Sequence, residues 1–389
     1  MALSPTAVLV SSFLFYCGYY FMHYGKQPQV YKKKTSKFSH FLDNYVTTLV
    51  KPFWSFFVVP GGRFQTIVAA LLPRDYKVSY YRKENISTPD GGEFLLAWAS
   101  PGNKDEPTKP LVVIFPGLVS RSTSGYVQII VKELIKLGFS AVVMGNRGIE
   151  IPCQTGKAFC AADTNDMQLA VNTIRERYPN RLIAGVGISF GGLLLSRYLA
   201  QKGENSKLQA AFVYCCPFNP VAGSVNLEKW DNWLLYNVFL TNDLLKIYDR
   251  SREKFVGVVD HQKLKRVRSI REFDIHMTAK VFGYESVDHY YKDSVITTKF
   301  LHSIKTPTLC LCADDDAFVP IKSLPYQEMA QTDYIAIAIT HGGGHVGHLQ
   351  GINPLSTPYF VEMMMDYFTA VFNHSDELPE IEKPTYSVQ

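Results

Sequence analysis

The chain has 389 residues, of which 47% are hydrophobic and 19% charged, and its formal net charge is +5. That balance excludes a disordered or collagen-like chain, and the length allows two or three domains or one large α/β domain with insertions. Five lysines before Asp43 (Lys26, Lys32, Lys33, Lys34 and Lys37), with no acid among them, account for the whole basic excess, which disfavours a globally basic nucleic-acid binder.

Residues 1–25 carry no charged side chain. About 20 apolar residues in a helix reach roughly 30 Å, the thickness of a bilayer core. Tyr16, Tyr19, Tyr20 and Tyr24 crowd one end as an interfacial belt would. Neither a basic start nor a small-residue cleavage site is evident, so the expectation is an uncleaved single-pass anchor rather than a signal peptide. The lysines that follow place the large domain on the cytosolic side by the positive-inside rule. Two sequons, Asn85-Ile86-Ser87 and Asn373-His374-Ser375, would matter only in a lumenal domain. The cytosolic side is the expectation.

Residues 26–75, with Trp54, Phe56, Phe57 and the turn Pro60-Gly61-Gly62, show no clear period and are expected to form a membrane-proximal segment. Beyond them apolar runs alternate with helical patterns. Leu111 to Phe115, Ala141 to Met144, Leu182 to Ile188, Ala210 to Cys215, Thr308 to Cys312 and Tyr334 to Ile339 are expected strands. Val127 to Leu137, Asp166 to Tyr178 and Leu193 to Lys202 are expected amphipathic helices. Such alternation predicts an α/β domain over 76–372, with a mostly parallel sheet covered by helices on both faces. Residues 218 to about 300 break the rhythm with Trp230, Trp233 and a basic segment, and are expected to be a helical lid insertion. Nine basic and four acidic side chains lie between Lys246 and Glu272, suited to a solvated helix face or to anionic headgroups. Residues 373–389 are expected to be a tail. Cys215, Cys216, Cys310 and Cys312 lie in or beside the strand runs and are expected to be buried, reduced thiols. No cysteine or histidine spacing suits zinc.

The sharpest chemical signal is Gly187-Ile188-Ser189-Phe190-Gly191, entered by an apolar strand and left by an apolar helix. This strand–elbow–helix setting presents a serine nucleophile on a strained turn where neighbouring Cβ atoms would clash. The serine needs a base, and the base an orienting acid. Two later loops supply them: Asp314-Asp315-Asp316 after one strand and His341-Gly342-Gly343-Gly344-His345 after the next. Spacing alone leaves three aspartates open, and His341, His345 and His348 as well. An oxyanion needs two fixed N–H donors. They are expected at Phe190, just after the serine, and at Leu118 in the loop Pro116-Gly117-Leu118.

Phe115-Pro116-Gly117-Leu118, Asn146-Arg147-Gly148 and Gly187 to Gly192 resemble the α/β-hydrolase family. With Asn232-Trp233-Leu234-Leu235, Ser269-Ile270-Arg271-Glu272-Phe273-Asp274, Phe282-Gly283-Tyr284 and Tyr290-Tyr291, the likeness narrows to its membrane-anchored abhydrolase-domain group, over roughly 75–370. That group includes phosphatidylcholine-directed phospholipases and yeast ethyl-ester synthases. The resemblance implies an acid in Asp316-Ala317-Phe318-Val319-Pro320 and a histidine in Gly343-Gly344-His345-Val346-Gly347, and so Asp316 and His345. Two positions depart from the pattern: Phe115 stands where many hydrolases have His, and His348 where an aromatic is common. The HxxxxD acyltransferase spacing is absent, since Asp293 follows His289 one position too soon.

The resulting expectation is a membrane-anchored serine hydrolase of lipid acyl esters, without metal or organic cofactor. The resemblance points to phosphatidylcholine with short or medium chains as substrate. An acyltransferase that passes the acyl group to an alcohol, and a non-catalytic scaffold, are the rival readings.

Overall fold

The computed structural model describes residues 4–72 and 76–379. Residues 1–3 of the expected anchor, the expected boundary at 75 and residues 380–389 of the expected tail lie outside the described residues.

Nine strands form one sheet in the order β1-β9-β8-β7-β6-β4-β5-β3-β2. They are β1 (Gln29–Lys32), β2 (Arg82–Ser87), β3 (Glu93–Ala99), β4 (Leu111–Phe115), β5 (Ser140–Gly145), β6 (Ile183–Ile188), β7 (Ala210–Tyr214), β8 (Thr308–Ala313) and β9 (Ile335–Thr340). The six strands from β4 to β9 run parallel, and antiparallel pairings flank them: β3 against β5 and β2 against β3 at one side, and β1 against β9 at the other. Every residue of the six parallel strands is buried, because crossover helices cover both faces. The side-chain period of two then divides the strands between two cores. Val112, Ile114, Val186, Phe212 and Leu309 face one core with the helices Gly125–Lys136 and Tyr359–Asn373. Leu111, Val113, Ile183, Val213 and Cys310 face the other with the helices Asn165–Arg177 and Phe190–Lys202.

The six strands and three helices expected from sequence are present, with ends shifted by no more than three residues. The stretch 26–75, for which no period was evident, is built into the sheet and its core. It supplies edge strand β1, which pairs with β9, and the helix Lys37–Tyr45 buries Phe38, Phe41 and Leu42 in the core shared with Tyr359–Asn373. Its role was hidden because every partner lies at the far end of the chain.

Residues 218–300 fold as helices, among them Pro220–Leu227, Val238–Asp249, Ile270–His276 and Val287–Ser294. Their own small core gathers Leu244, Tyr248, Phe255, Phe273 and Met277 around Cys153. Lys265, Arg266 and Arg268 are exposed to solvent, interleaved with buried Leu264, Val267 and Ser269. All seven cysteines are free thiols, and six are buried.

The helix Pro5–His23 is capped by the Ser4 side chain and is long and apolar enough to cross a membrane. Only its last turns touch the body. Tyr20 donates a 2.5 Å hydrogen bond to the Ser55 carbonyl, Tyr16 donates to that of Phe57, and Tyr24 packs against His341.

Candidate active site

The end of β6 delivers Ser189 to the mouth of the sheet. Its φ of 53° and ψ of −118° lie in the left-handed half of backbone space, a conformation that costs a non-glycine residue about 1–3 kcal/mol. The strain persists because neighbours leave no alternative. A Cβ on Gly187 would meet the backbone of Gly191 and Gly192, and one on Gly191 would collide with the carbonyls of Phe115 and Pro116.

Ser189 Oγ lies 2.8 Å from His345 Nε2, and His345 Nδ1 lies 2.8 Å from Asp316 Oδ2. Asp316 is fully buried and His345 only 9% exposed by side chain. The second oxygen of Asp316 accepts the N–H groups of Phe318 and Val319 at 2.7 and 3.2 Å. The Phe318 ring stacks on the imidazole at 4.1 Å and 22°. Hydrogen bonds at both nitrogens and a ring on one face fix the histidine, the arrangement that triad chemistry requires.

The aspartates and histidines left open by spacing have separate tasks. Asp314 accepts the Gly342 N–H and pairs with exposed His341. Asp315 accepts the N–H of Gly344 at 2.9 Å with one oxygen and that of Gly62 at 2.6 Å with the other. Burial pushes its carboxyl up to about 6. His348 is buried between Tyr214 and Thr340, each 2.8 Å from a ring nitrogen, with its ring 5.3 Å from those of Phe53 and Tyr214. It fills an aromatic's place, as a wedge between rings.

Burial holds His348 down to about 3, against about 6.5 in an unfolded chain. An unfolded chain therefore binds a proton below 6.5 that the folded chain refuses, so this histidine contributes stability above 6.5 that is lost as pH falls toward 3. Asp274 and Asp315, both raised to about 6, act with the opposite sign. Urea midpoints at pH 7.5 and 5 should consequently fall more steeply with acid in the wild type than in His348→Gln. Equal slopes would show that the group carries no such linkage.

Three supports were not visible in sequence. Thr66 Oγ1 accepts the His345 N–H at 2.8 Å and donates to the Gly62 carbonyl. Buried Gln65 bonds both the N–H and the carbonyl of Leu349. Cys215, itself at φ 48°, takes the Val346 N–H and reaches the Gly344 carbonyl, bracketing His345. The only hint was the Pro60-Gly61-Gly62 turn, because these bonds span very long sequence distances.

Phe190 and Leu118 both border the cavity that contains Ser189. Among the described residues neither N–H is taken by a protein acceptor, which leaves both free for an oxyanion. The loop before Leu118 is held by Tyr126, whose hydroxyl accepts the Gly117 N–H at 2.8 Å. Cys215, Asp316 and His345 also offer three donor atoms within 4.8 Å of one another. Both nitrogens of that histidine are already engaged, which suits the set to proton transfer rather than to metal.

The cavity measures about 760 Å³, within the usual range of roughly 300–1,000 Å³ for ligand sites. Its walls are mostly apolar, with Phe159, Leu240, Leu244, Phe273 and Phe318 from the sheet loops and the lid. Arg147 at the end of β5 braces one side. It grips Asp166 through two nitrogens at 2.5 and 2.6 Å, and Asp90 at 2.7 Å.

The family model described as "Serine aminopeptidase, S33" matches residues 106–346. Phospholipase ABHD3 of Homo sapiens is 33% identical over 368 residues, covering 93% of this chain and 89% of that protein. Putative esterase YheT of Escherichia coli is 31% identical over 294 residues, 74% of this chain and 84% of that one. A solved esterase of Pyrococcus furiosus, Pf2001, shares the fold at a TM-score of 0.50 and 15% identity, over 77% of this chain and 95% of its own. Fold and relatives define a carboxylic-ester hydrolase of the α/β-hydrolase type. The chain belongs to the abhydrolase-domain-containing family of these enzymes.

Proposed function

We propose that this enzyme is a membrane-anchored phospholipase that cleaves acyl esters of phosphatidylcholine with short or medium chains. The observation that carries the reading is the Ser189–His345–Asp316 chain opening into an apolar cavity. The relative named a phospholipase, aligned over most of both chains, supports the choice of lipid.

Ser189 Oγ attacks the acyl carbonyl while His345 Nε2 takes its proton, and Asp316 stabilises the imidazolium through Nδ1. The N–H groups of Phe190 and Leu118 receive the oxyanion, in a pocket where apolar walls strengthen each hydrogen bond. His345 returns the proton to the departing alcohol. Water, deprotonated by the same histidine, then attacks the acyl-enzyme, and the fatty acid leaves as the serine regains its proton. The helix Pro5–His23 crosses the bilayer and keeps the cavity beside its substrate.

The test is fatty-acid release by the full chain from phosphatidylcholines of graded acyl length and from monoacylglycerols, measured by mass spectrometry. Release should peak on phosphatidylcholine with short or medium chains. Preference for monoacylglycerol would overturn the headgroup assignment, and ethyl esters formed on adding ethanol would favour acyl transfer to alcohols.

A further inference from the structure

The cavity opens through a rim that is apolar on its outside. Leu71, at the end of the helix Gly62–Leu71, and Phe239, near the start of Val238–Asp249, line the cavity and yet are 77% and 65% exposed. Phe64 lies about two turns before Leu71 and is also exposed. Val225, Trp230 and Leu234 are exposed on the lid, Trp230 by 80%, next in sequence or within two residues of the cavity-lining Ser224, Glu228 and Leu235. The two sides are tied together: Tyr236 donates to the Arg63 carbonyl at 3.2 Å, and Arg63 pairs with Asp231. Exposed large apolar side chains gathered around one opening mark a binding surface.

The neighbourhood says what covers it. The foot of the helix Pro5–His23 meets the same histidine loop as the start of Gly62–Leu71. Tyr24 packs on His341 at 5.8 Å, while the Gly62 N–H is held by Asp315, which also binds Gly344. If that helix spans a bilayer, the rim is held beside the bilayer's surface, where tryptophan is a favoured side chain. We infer that the rim of Phe64, Leu71, Trp230, Leu234 and Phe239 docks into the lipid surface, so that an acyl chain passes from the bilayer into the cavity without crossing water. This inference rests on the proposed membrane anchor and adds the route by which substrate arrives.

Fluorescence of the full chain in phosphatidylcholine vesicles brominated near the top of their acyl chains tests it. Trp54, packed on Tyr20 and Phe21 at the foot of the helix, serves as the reference. Wild type should lose clearly more fluorescence to bromine than Trp230→Phe, whose remaining quenching comes from Trp54 and half-buried Trp233. A chain that floats with the vesicles but shows identical quenching with and without Trp230 overturns the docking while leaving the anchor intact. A chain that does not float overturns both. As a second measurement, the triple variant Phe64→Ser, Trp230→Ser, Leu234→Ser should cleave vesicle lipid about tenfold more slowly, and a water-soluble short ester at the wild-type rate. Equal losses on the two substrates, or none on vesicles, would count against the docking surface.

Discussion

Replacement of Ser189 by alanine should abolish labelling by a fluorophosphonate probe and lower ester hydrolysis by about 10⁴-fold or more. The variant keeps the elbow's backbone, so its unfolding midpoint should stay near that of the wild type, and the loss then belongs to chemistry. Ser189→Gly sharpens the test. Glycine accepts a φ of 53° without strain, so this variant should be equally inactive yet more stable by about 1 kcal/mol, once relieved strain is set against glycine's entropy. Labelling that survives either change would move the nucleophile elsewhere and remove the reaction scheme proposed above.

The second large effect separates two adjacent aspartates. In Asp316→Asn the amide is close in size to the carboxylate, but it no longer favours the His345 tautomer that can take the serine proton. It also cannot neutralise the imidazolium. Turnover at neutral pH should fall by roughly 10⁴-fold, the scale seen for this change in triads generally. Asp315→Asn removes a carboxylate that accepts two backbone N–H groups from opposite sides, Gly62 and Gly344. An amide has one acceptor oxygen, so one of those N–H groups loses its partner, at about 1–3 kcal/mol for a buried group. The histidine loop should loosen and turnover drop about tenfold, with KM little changed. A larger loss at Asp315 than at Asp316 would reverse the assignment of the acid.

That assignment shows where the sequence was informative. The parallel strands were legible because each is a short apolar run buried on both faces, and β-branched residues are frequent in most of them. The edges were not. Arg82-Lys83-Glu84-Asn85-Ile86-Ser87 is mostly charged or polar, as a solvent-facing edge strand can be. Glu93-Phe94-Leu95-Leu96-Ala97-Trp98-Ala99 is built largely from leucine and alanine, which favour helix as readily as strand. The elbow and the two loops of the site followed from spacing, but only the motif resemblance chose Asp316 over Asp314 and Asp315. Physically, the choice is made by which carboxylate faces His345 Nδ1 while its neighbours bind the loop's backbone, and spacing cannot express that. Thr66 and Gln65 hydrogen-bond backbone at the far end of the chain, and Tyr126 a single N–H, so none of them leaves a pattern to read.

The pairing of β1 with β9 also bears on how the protein is made. Gln29 to Lys32 emerge from the ribosome soon after the helix Pro5–His23, but their partners, Ala336 to Ile339, belong to the last strand of the sheet to be synthesised. The edge strand, the Gly62–Asp315 bond and the Thr66–His345 bond must therefore all wait until translation is nearly finished. Until then Phe38, Phe41 and Leu42 lack the late helix Tyr359–Asn373 that helps to bury them. The first part of the body to be made is thus the last to be locked, when the chain closes on its own beginning.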